Sequence, residues 1–451
     1  MVPALTAQDD ARYRGVSFWH DTVPDDLTPR APLAGDEDAD VAIIGAGLTG
    51  LWTAWYLLER DPSLRIVLLE REIAGFGASG RNGGWCSALF PRSTASLERA
   101  HGLDAALAMR RAMIGTVDEV GRVTESLGLD IDYVKGGTLA FTPTAVQRRA
   151  AEVEAAEAAR YGVDTVELLP HASFDPNCAR VHPAKLVRGL ARAVEARGAR
   201  IAEGTEVVGY GPRAVRTARG TVRAPHVVVA TEGYGASLRE THRRVLPLYS
   251  LMIATEPLPD ALWDEIGIAH GQTFTDYRHL LVYGQRTADN RFAFGGRGAR
   301  YHWGSAIREG YDRVPAVFEH LRGTLRAMFP AIGDVAVTHT WGGPLGVPRD
   351  WHASSGLDPA TGIAWAGGYV GDGLSTTNLA GRTLADLLTR ADTELVRLPW
   401  VGHRSPDWEP EPLRFLGANA GLVAMTAADA EERLTGRASI AARLMGPLTG
   451  H

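Results

Sequence analysis

Cysteine and lysine are nearly missing from this 451-residue chain. The only two cysteines, Cys86 and Cys178, exclude a disulfide framework and point to a reducing, cytoplasmic setting. Lysine occurs only at Lys135 and Lys185, the other 45 basic residues being arginine, so lysine chemistry has two places to stand. Surplus positive charge is absent too. A formal net charge of -6 gives no support for nucleic acid or an anionic membrane surface as a partner. The first fifteen residues carry Asp9 and Asp10 and no apolar run, which argues against a signal peptide. The fourteen histidines are scattered without ligand spacing, so no metal is expected. Low-complexity tracts and internal repeats are absent. What remains is a globular composition, 45% hydrophobic and 22% charged, long enough for two or three interlocked domains.

One long uncharged run exists, residues 41–58, close to the length of a short membrane helix. It holds Gly45, Gly47 and Gly50 directly after the β-type run Val41-Ala-Ile-Ile44. Strand, tight glycine turn and helix explain it better than a membrane span. Gly45 suits the turn, Gly47 lets the backbone approach a pyrophosphate, and Gly50 lets helix and strand pack closely. Ala46, Leu48 and Thr49 fill the turn, whose helix N-terminus offers free N–H groups to phosphate. Glu70, with Arg71 beside it, ends the next strand and is spaced to accept from a ribose 2′-OH. A second loop follows, Gly77-Ala-Ser-Gly-Arg-Asn-Gly-Gly84, rich in backbone donors and small side chains suited to a flat ring system. Ala78, Ser79, Arg81, Asn82 and Gly83 are its candidate contacts.

Helical periodicity covers 93–127, with further helices near 144–161 and 184–197, the latter capped by Gly198. Residues 131–141 read as a hairpin around Gly136-Gly137, and β-like pieces lie near 249–254, 279–283 and 291–296. A strand at 363–366 leads through Gly367–Gly373 into a helix from about Ser375 to Arg390, and another helix falls near 423–435. Phe18-Trp19 is expected to pack on the body. The implied division is an arm at 1–39, a discontinuous cofactor domain at 40–90, 165–240 and 340–390, a substrate domain at 91–164 and 241–339, and a helical tail at 391–451.

The 41–70 segment, the 77–84 loop, His182-Pro-Ala-Lys-Leu186 before Thr205-Glu-Val207, and the Gly367–Gly373 loop together resemble the D-amino-acid oxidase, glycine oxidase and sarcosine oxidase superfamily. Within it, the likeness is to the gamma-glutamylputrescine oxidase branch. The resemblance implies an α/β and α+β fold, with a Rossmann-type FAD domain and a substrate domain on a mostly antiparallel sheet. It implies that Val207 frames the adenine and that Ala230 and Thr231 pass near the diphosphate-ribose. Val227 to Ala230 also reads as a plain strand running into a loop. The resemblance further brings Gly371, Asp372, Gly373, Leu374, Ser375 and Thr376 to the flavin pyrimidine, where the helix N-terminus favours negative charge. Many relatives carry His where this chain has Asp372. No cysteine follows Cys178, so the FAD is expected to be non-covalent, and Cys86 reads as a small buried hydrophobe.

The implied reaction is oxidation of a small amine or amino acid by hydride transfer to flavin, the cofactor performing the hard step. Trp85, Tyr249, His279, Tyr283 and Trp341, with Tyr277 and Tyr369, are candidates for an aromatic substrate cage, against the alternative that they are core. Arg297 could meet a carboxylate or simply face solvent. Monomeric sarcosine oxidase activates oxygen with a lysine in a substrate-domain strand, and this chain has none between 245 and 350. The readings left open are an oxidase making hydrogen peroxide, a dehydrogenase serving a quinone or protein acceptor, and a non-catalytic flavin-binding protein.

Overall fold

The structure, a computed structural model, describes residues 7–440, so the end of the tail lies outside the described residues. Three short apolar runs build its first sheet. Val41–Ile44 lies between His226–Val229 and Ile66–Leu69, all parallel, with Val41 opposite Ile66 and His226 opposite Val41. Arg200–Ala202 extends one edge, while Ile363–Gly367 and the antiparallel Ser354–Asp358 extend the other. Strands covered on both faces need unbroken apolar sequence, and these have it. The covering helices include Leu48–Arg60, Leu103–Ser126, Pro183–Ala196 and Gly373–Thr389. Gly381 lets two of them touch: a Cβ there would meet the Trp52 backbone at 2.6 Å.

A second sheet of eight strands is antiparallel except where Thr273–Asp276 runs parallel to Thr138–Phe141. Val337–Val347 forms one edge, followed inward by Leu246–Thr255, Phe292–Arg297 and Val282–Arg286. This is the fold class expected of the chain, a Rossmann-type domain joined to a mostly antiparallel one. A small meander, Val207–Gly211 to Gly220–Arg223, takes up Glu37–Asp38 as a fourth strand. Phe18 and Trp19 are buried as anticipated.

Several local expectations are corrected. The 93–127 helix is two, Thr94–His101 and Leu103–Ser126, broken at Gly102 with φ +87°. Residues 131–141 form no hairpin. Gly136 instead permits a close approach, since a Cβ there would meet the Gly271 carbonyl at 2.5 Å, and Thr138–Phe141 pairs with Ala172–Asp175. The helix ending near Gly198 stops at Ala196 with Arg197 as its cap, and Gly198 (φ +97°) follows it. The tail helix starts ten residues earlier than expected, at Leu413. Strands Glu167–Leu168, Ala172–Asp175 and Val337–Val347 belong to the eight-stranded sheet, and Leu103–Ser126 packs in the core of the parallel one. The sheets therefore cross the domain boundaries drawn from sequence. Among the described residues, no helix is long and apolar enough to cross a membrane.

Candidate active site

A cleft opens at the carboxyl ends of the parallel strands, where Ile44, Leu69 and Ala230 line it. Such crevices are where doubly wound sheets bind nucleotides. Its floor is the glycine turn. Gly45 sits at φ +103°, and any Cβ there would meet the Ala230 carbonyl oxygen at 2.7 Å. Gly50 is tighter, its Cβ position only 2.2 Å from the Gly45 carbonyl oxygen. Gly47 caps the Leu48–Arg60 helix without any side-chain bond, leaving first-turn N–H groups for a ligand. The Leu48 N–H is taken by Ser79 Oγ (2.9 Å), which ties the turn to the second glycine loop.

Glu70 orients itself by accepting from the Ala46 and Glu72 N–H groups, both at 3.0 Å, and burial raises its pKa against those bonds. It lines the cleft with Arg71, Gly77, Ala78, Ser79, Asn82, Val207, Ala230 and Thr231. At the far end stand Gly371, Gly373 and Leu374, where the Gly373–Thr389 helix begins. Among the described residues, no cysteine, histidine or lysine lines this cleft. Cys86 and Cys178 are buried away from it. The donor set, the Cβ-free turn and the Glu70 carboxylate fit a dinucleotide.

Other expected contacts act one layer back. Ala46, Gly50, Gly83, Gly84, Ser375 and Thr376 shape the loops without lining the cleft, Gly84 at φ +70°. Ser375 Oγ donates to the Ser87 carbonyl and Thr376 Oγ1 to that of Asp372. Arg81 is engaged through Nε and Nη1: it donates to Phe76 O (2.7 Å), Gly342 O (3.1 Å) and Asp312 (2.8 Å), and it stacks on Phe76. Two indoles clamp its loop, Trp19 donating to Asn82 O and Trp341 to Arg81 O, each at 2.8 Å.

Trp341 is thus a support, too enclosed to meet a ligand. Tyr249 is likewise core, edge-on to His302 and Tyr311. His279 is engaged by the tail helix, its Nε2 lying 2.8 Å from Glu432, and Tyr277 bonds Ser173 and Glu154. The structure does bring together Trp85, Tyr283, Arg297 and Asp372. Trp85 donates to Gly284 O and stands edge-on to Tyr283, whose hydroxyl pairs with Ser250 at 2.8 Å. Arg297 reaches across to donate to Val370 O at 2.7 Å and lies over Trp351. Asp372, the helix N-cap, makes no capping bond, and burial raises its carboxyl to about 6 although Arg297 pulls it down.

Sequence reasoning missed Glu232, which follows the strand it examined. Held at φ +44°, it lines the cleft and accepts from Gly368 N (2.9 Å) and Gly346 N (3.3 Å). Burial pushes it up to about 7. Tyr234, Pro344 and Leu345 were also missed, because only tertiary folding brings them to the cleft. Tyr369, already a candidate from sequence, also lines the cleft, its hydroxyl 2.9 Å from Thr49 Oγ1.

Residues 40–387 match the DAO family model of FAD-dependent oxidoreductases. The chain belongs to that family. This oxidoreductase is 32% identical to gamma-glutamylputrescine oxidoreductase of Escherichia coli over 79% of its own length and 84% of the relative's. It is 31% identical to the probable oxidoreductase OrdL of Haemophilus influenzae, over 81% and 86% respectively. Glycine oxidase from Geobacillus kaustophilus shares its fold at TM-score 0.67 and 22% identity, covering 81% of this chain and 99% of that one. A chain of this family uses FAD, and the cleft is the candidate place for it.

Proposed function

We propose that this oxidoreductase oxidises the C–N bond of a small amine or amino acid, with oxygen as the acceptor and hydrogen peroxide as product. Bound FAD supplies the hydride acceptor. The protein supplies orientation and electrostatics. The observation that carries the reading is Arg297. Its guanidinium is held beside Gly371, at the end of the FAD cleft, by one bond to Val370 O, leaving donors for a substrate carboxylate. Trp85 and Tyr283 form an apolar wall beside it that excludes water and stacks against the substrate's alkyl part. No side chain there is needed as a strong base, because a neutral amine presents its lone pair without help; water then hydrolyses the imine product. The kinship to a gamma-glutamylputrescine oxidoreductase supports an amine as donor.

The decisive experiment mixes the FAD-loaded protein anaerobically with amines, N-methyl amino acids and gamma-glutamyl polyamines, and follows flavin bleaching. Arg297→Met should weaken carboxylate-bearing substrates far more than carboxylate-free amines. Equal loss for both, or no bleaching by any, refutes the reading. A dehydrogenase is favoured by one observation: Lys135 and Lys185 are held by Asp118 and Asp132, and neither lines the cleft. Slow recovery of colour in air selects that alternative.

A further inference from the structure

The tail helix Leu413–Thr435 lies beyond the family match. Several of its polar groups point inward, beside Phe415 and Ala428. Arg414 is 3% exposed and bonds Glu411, Asn419 bonds the Tyr301 carbonyl, and Asp429 accepts from the His279 and Leu280 N–H groups at 2.7 and 2.9 Å. Its outward face is apolar. Leu413, Leu416, Ala420, Val423, Ala427, Ala430 and Leu434 follow one another at spacings of three and four, and all but Ala430 are exposed. Leu416 is 59% and Val423 68% exposed, and beside them Trp303, 58% exposed, stands against Phe415.

We propose that this face is the seam of a homodimer, the helix pairing antiparallel with its counterpart from a second copy of the chain. An alternating three–four spacing is the repeat that a helical partner demands, because it keeps one stripe facing one neighbour. The row also reads nearly alike in both directions. Antiparallel pairing about Val423 sets Leu413 against the other copy's Leu434, Leu416 against Ala430 and Ala420 against Ala427. Alanines fall near the centre, where helices approach closest, and leucines at the ends. The same pairing brings exposed Arg433 and Arg437 to the other copy's Glu409–Glu411 end, which complements them in charge. Such isologous contacts close on themselves. A lipid surface fits less well, since interfacial helices flank their apolar face with many cations, and Arg433 is the only exposed one on this helix. Pairing would also fix the inward carboxylates that hold the 279–280 turn.

Sedimentation of the full-length, FAD-loaded protein over a range of concentrations tests this. A dimer is expected, and Val423→Glu should yield a monomer with unchanged visible spectrum and melting temperature. Mild oxidation should cross-link Val423→Cys with itself, and Leu413→Cys with Leu434→Cys in mixed samples. Leu413→Cys alone should not cross-link; both native cysteines are buried and give no background. A chain monomeric at every concentration overturns the proposal, as does a dimer that survives Val423→Glu. Efficient self-linking of Leu413→Cys overturns the antiparallel arrangement. A monomer that binds phosphatidylserine vesicles through this face, or that dimerises only when residues 441–451 are deleted, overturns it in favour of lipid or of the chain's own tail.

Discussion

Replacing Gly50, which does not itself line the cleft, by alanine should damage that cleft from beneath. The added methyl would lie 2.2 Å from the Gly45 carbonyl oxygen and 3.1 Å from Ile43 Cγ2, whereas real Cβ contacts do not fall under 3.0 Å. The shortfall is 3.0 − 2.2 = 0.8 Å. Neither side yields readily. Gly45 is fixed by its N–H bond to Leu69 O (2.8 Å), and the helix is buried on nearly every side. Overpacking of this kind costs about 1–3 kcal/mol. Relief requires the helix N-terminus to retreat from the cleft, so the same displacement weakens pyrophosphate binding. FAD affinity should fall roughly 5- to 150-fold, the equivalent of ~1–3 kcal/mol. Quenching of flavin fluorescence on titration into apoprotein measures the affinity, and urea unfolding measures the stability. Gly211→Ala, where no atom lies within 4 Å of the new methyl, is the control. If Gly50→Ala binds FAD as tightly as the parent, the close-packing argument for this turn is wrong.

Three further outcomes follow from the buried carboxyls and thiols. Glu232 stands at about 7 in the folded protein against about 4.5 unfolded, so between those values the folded state keeps a proton that the unfolded state has lost. Stability should therefore decline as pH rises through that window, by about 3 kcal/mol in all, and Glu232→Gln at saturating FAD should remove that slope; an unchanged slope discards the assignment. Asp372, raised to about 6, is neutral below that pH and competes for Arg297 above it. The KM of a carboxylate substrate should rise about tenfold across pH 6, or ~1.4 kcal/mol, and Asp372→Asn should flatten the profile. Cys178 is pushed up to about 12 by burial and Cys86 is also raised, so iodoacetamide should label neither until the protein unfolds.

The nucleotide half of the site was legible because its parts are contiguous. A β run, Gly45, Gly47 and Gly50, then Glu70 report their geometry through local sterics, and the structure places Gly45, Gly47 and Glu70 on one cleft. The loop at 77–84 was legible as a loop, but the duty of its arginine was not. Arg81 looked available for the cofactor, yet Asp312 and Gly342, more than 200 residues on, claim its guanidinium.

The aromatic candidates show the same limit. In the Leu246–Thr255 strand almost every residue is buried, so alternation cannot reveal which face meets a ligand, and Tyr249 turned out to be core. Likewise, nothing near Trp341 in sequence foretold that it would brace the Arg81 backbone. The sequence by itself determined the glycine turn, the acidic residue that follows the second strand and the scarcity of cysteine. Each depends on spacing within some thirty residues or on composition. Only the tertiary structure decided that Arg297 acts on Asp372, that Glu232 is held between two backbone donors, and that the tail helix shows an apolar face outward. Those depend on which distant strands and loops the two sheets bring into contact, and local periodicity carries no record of that.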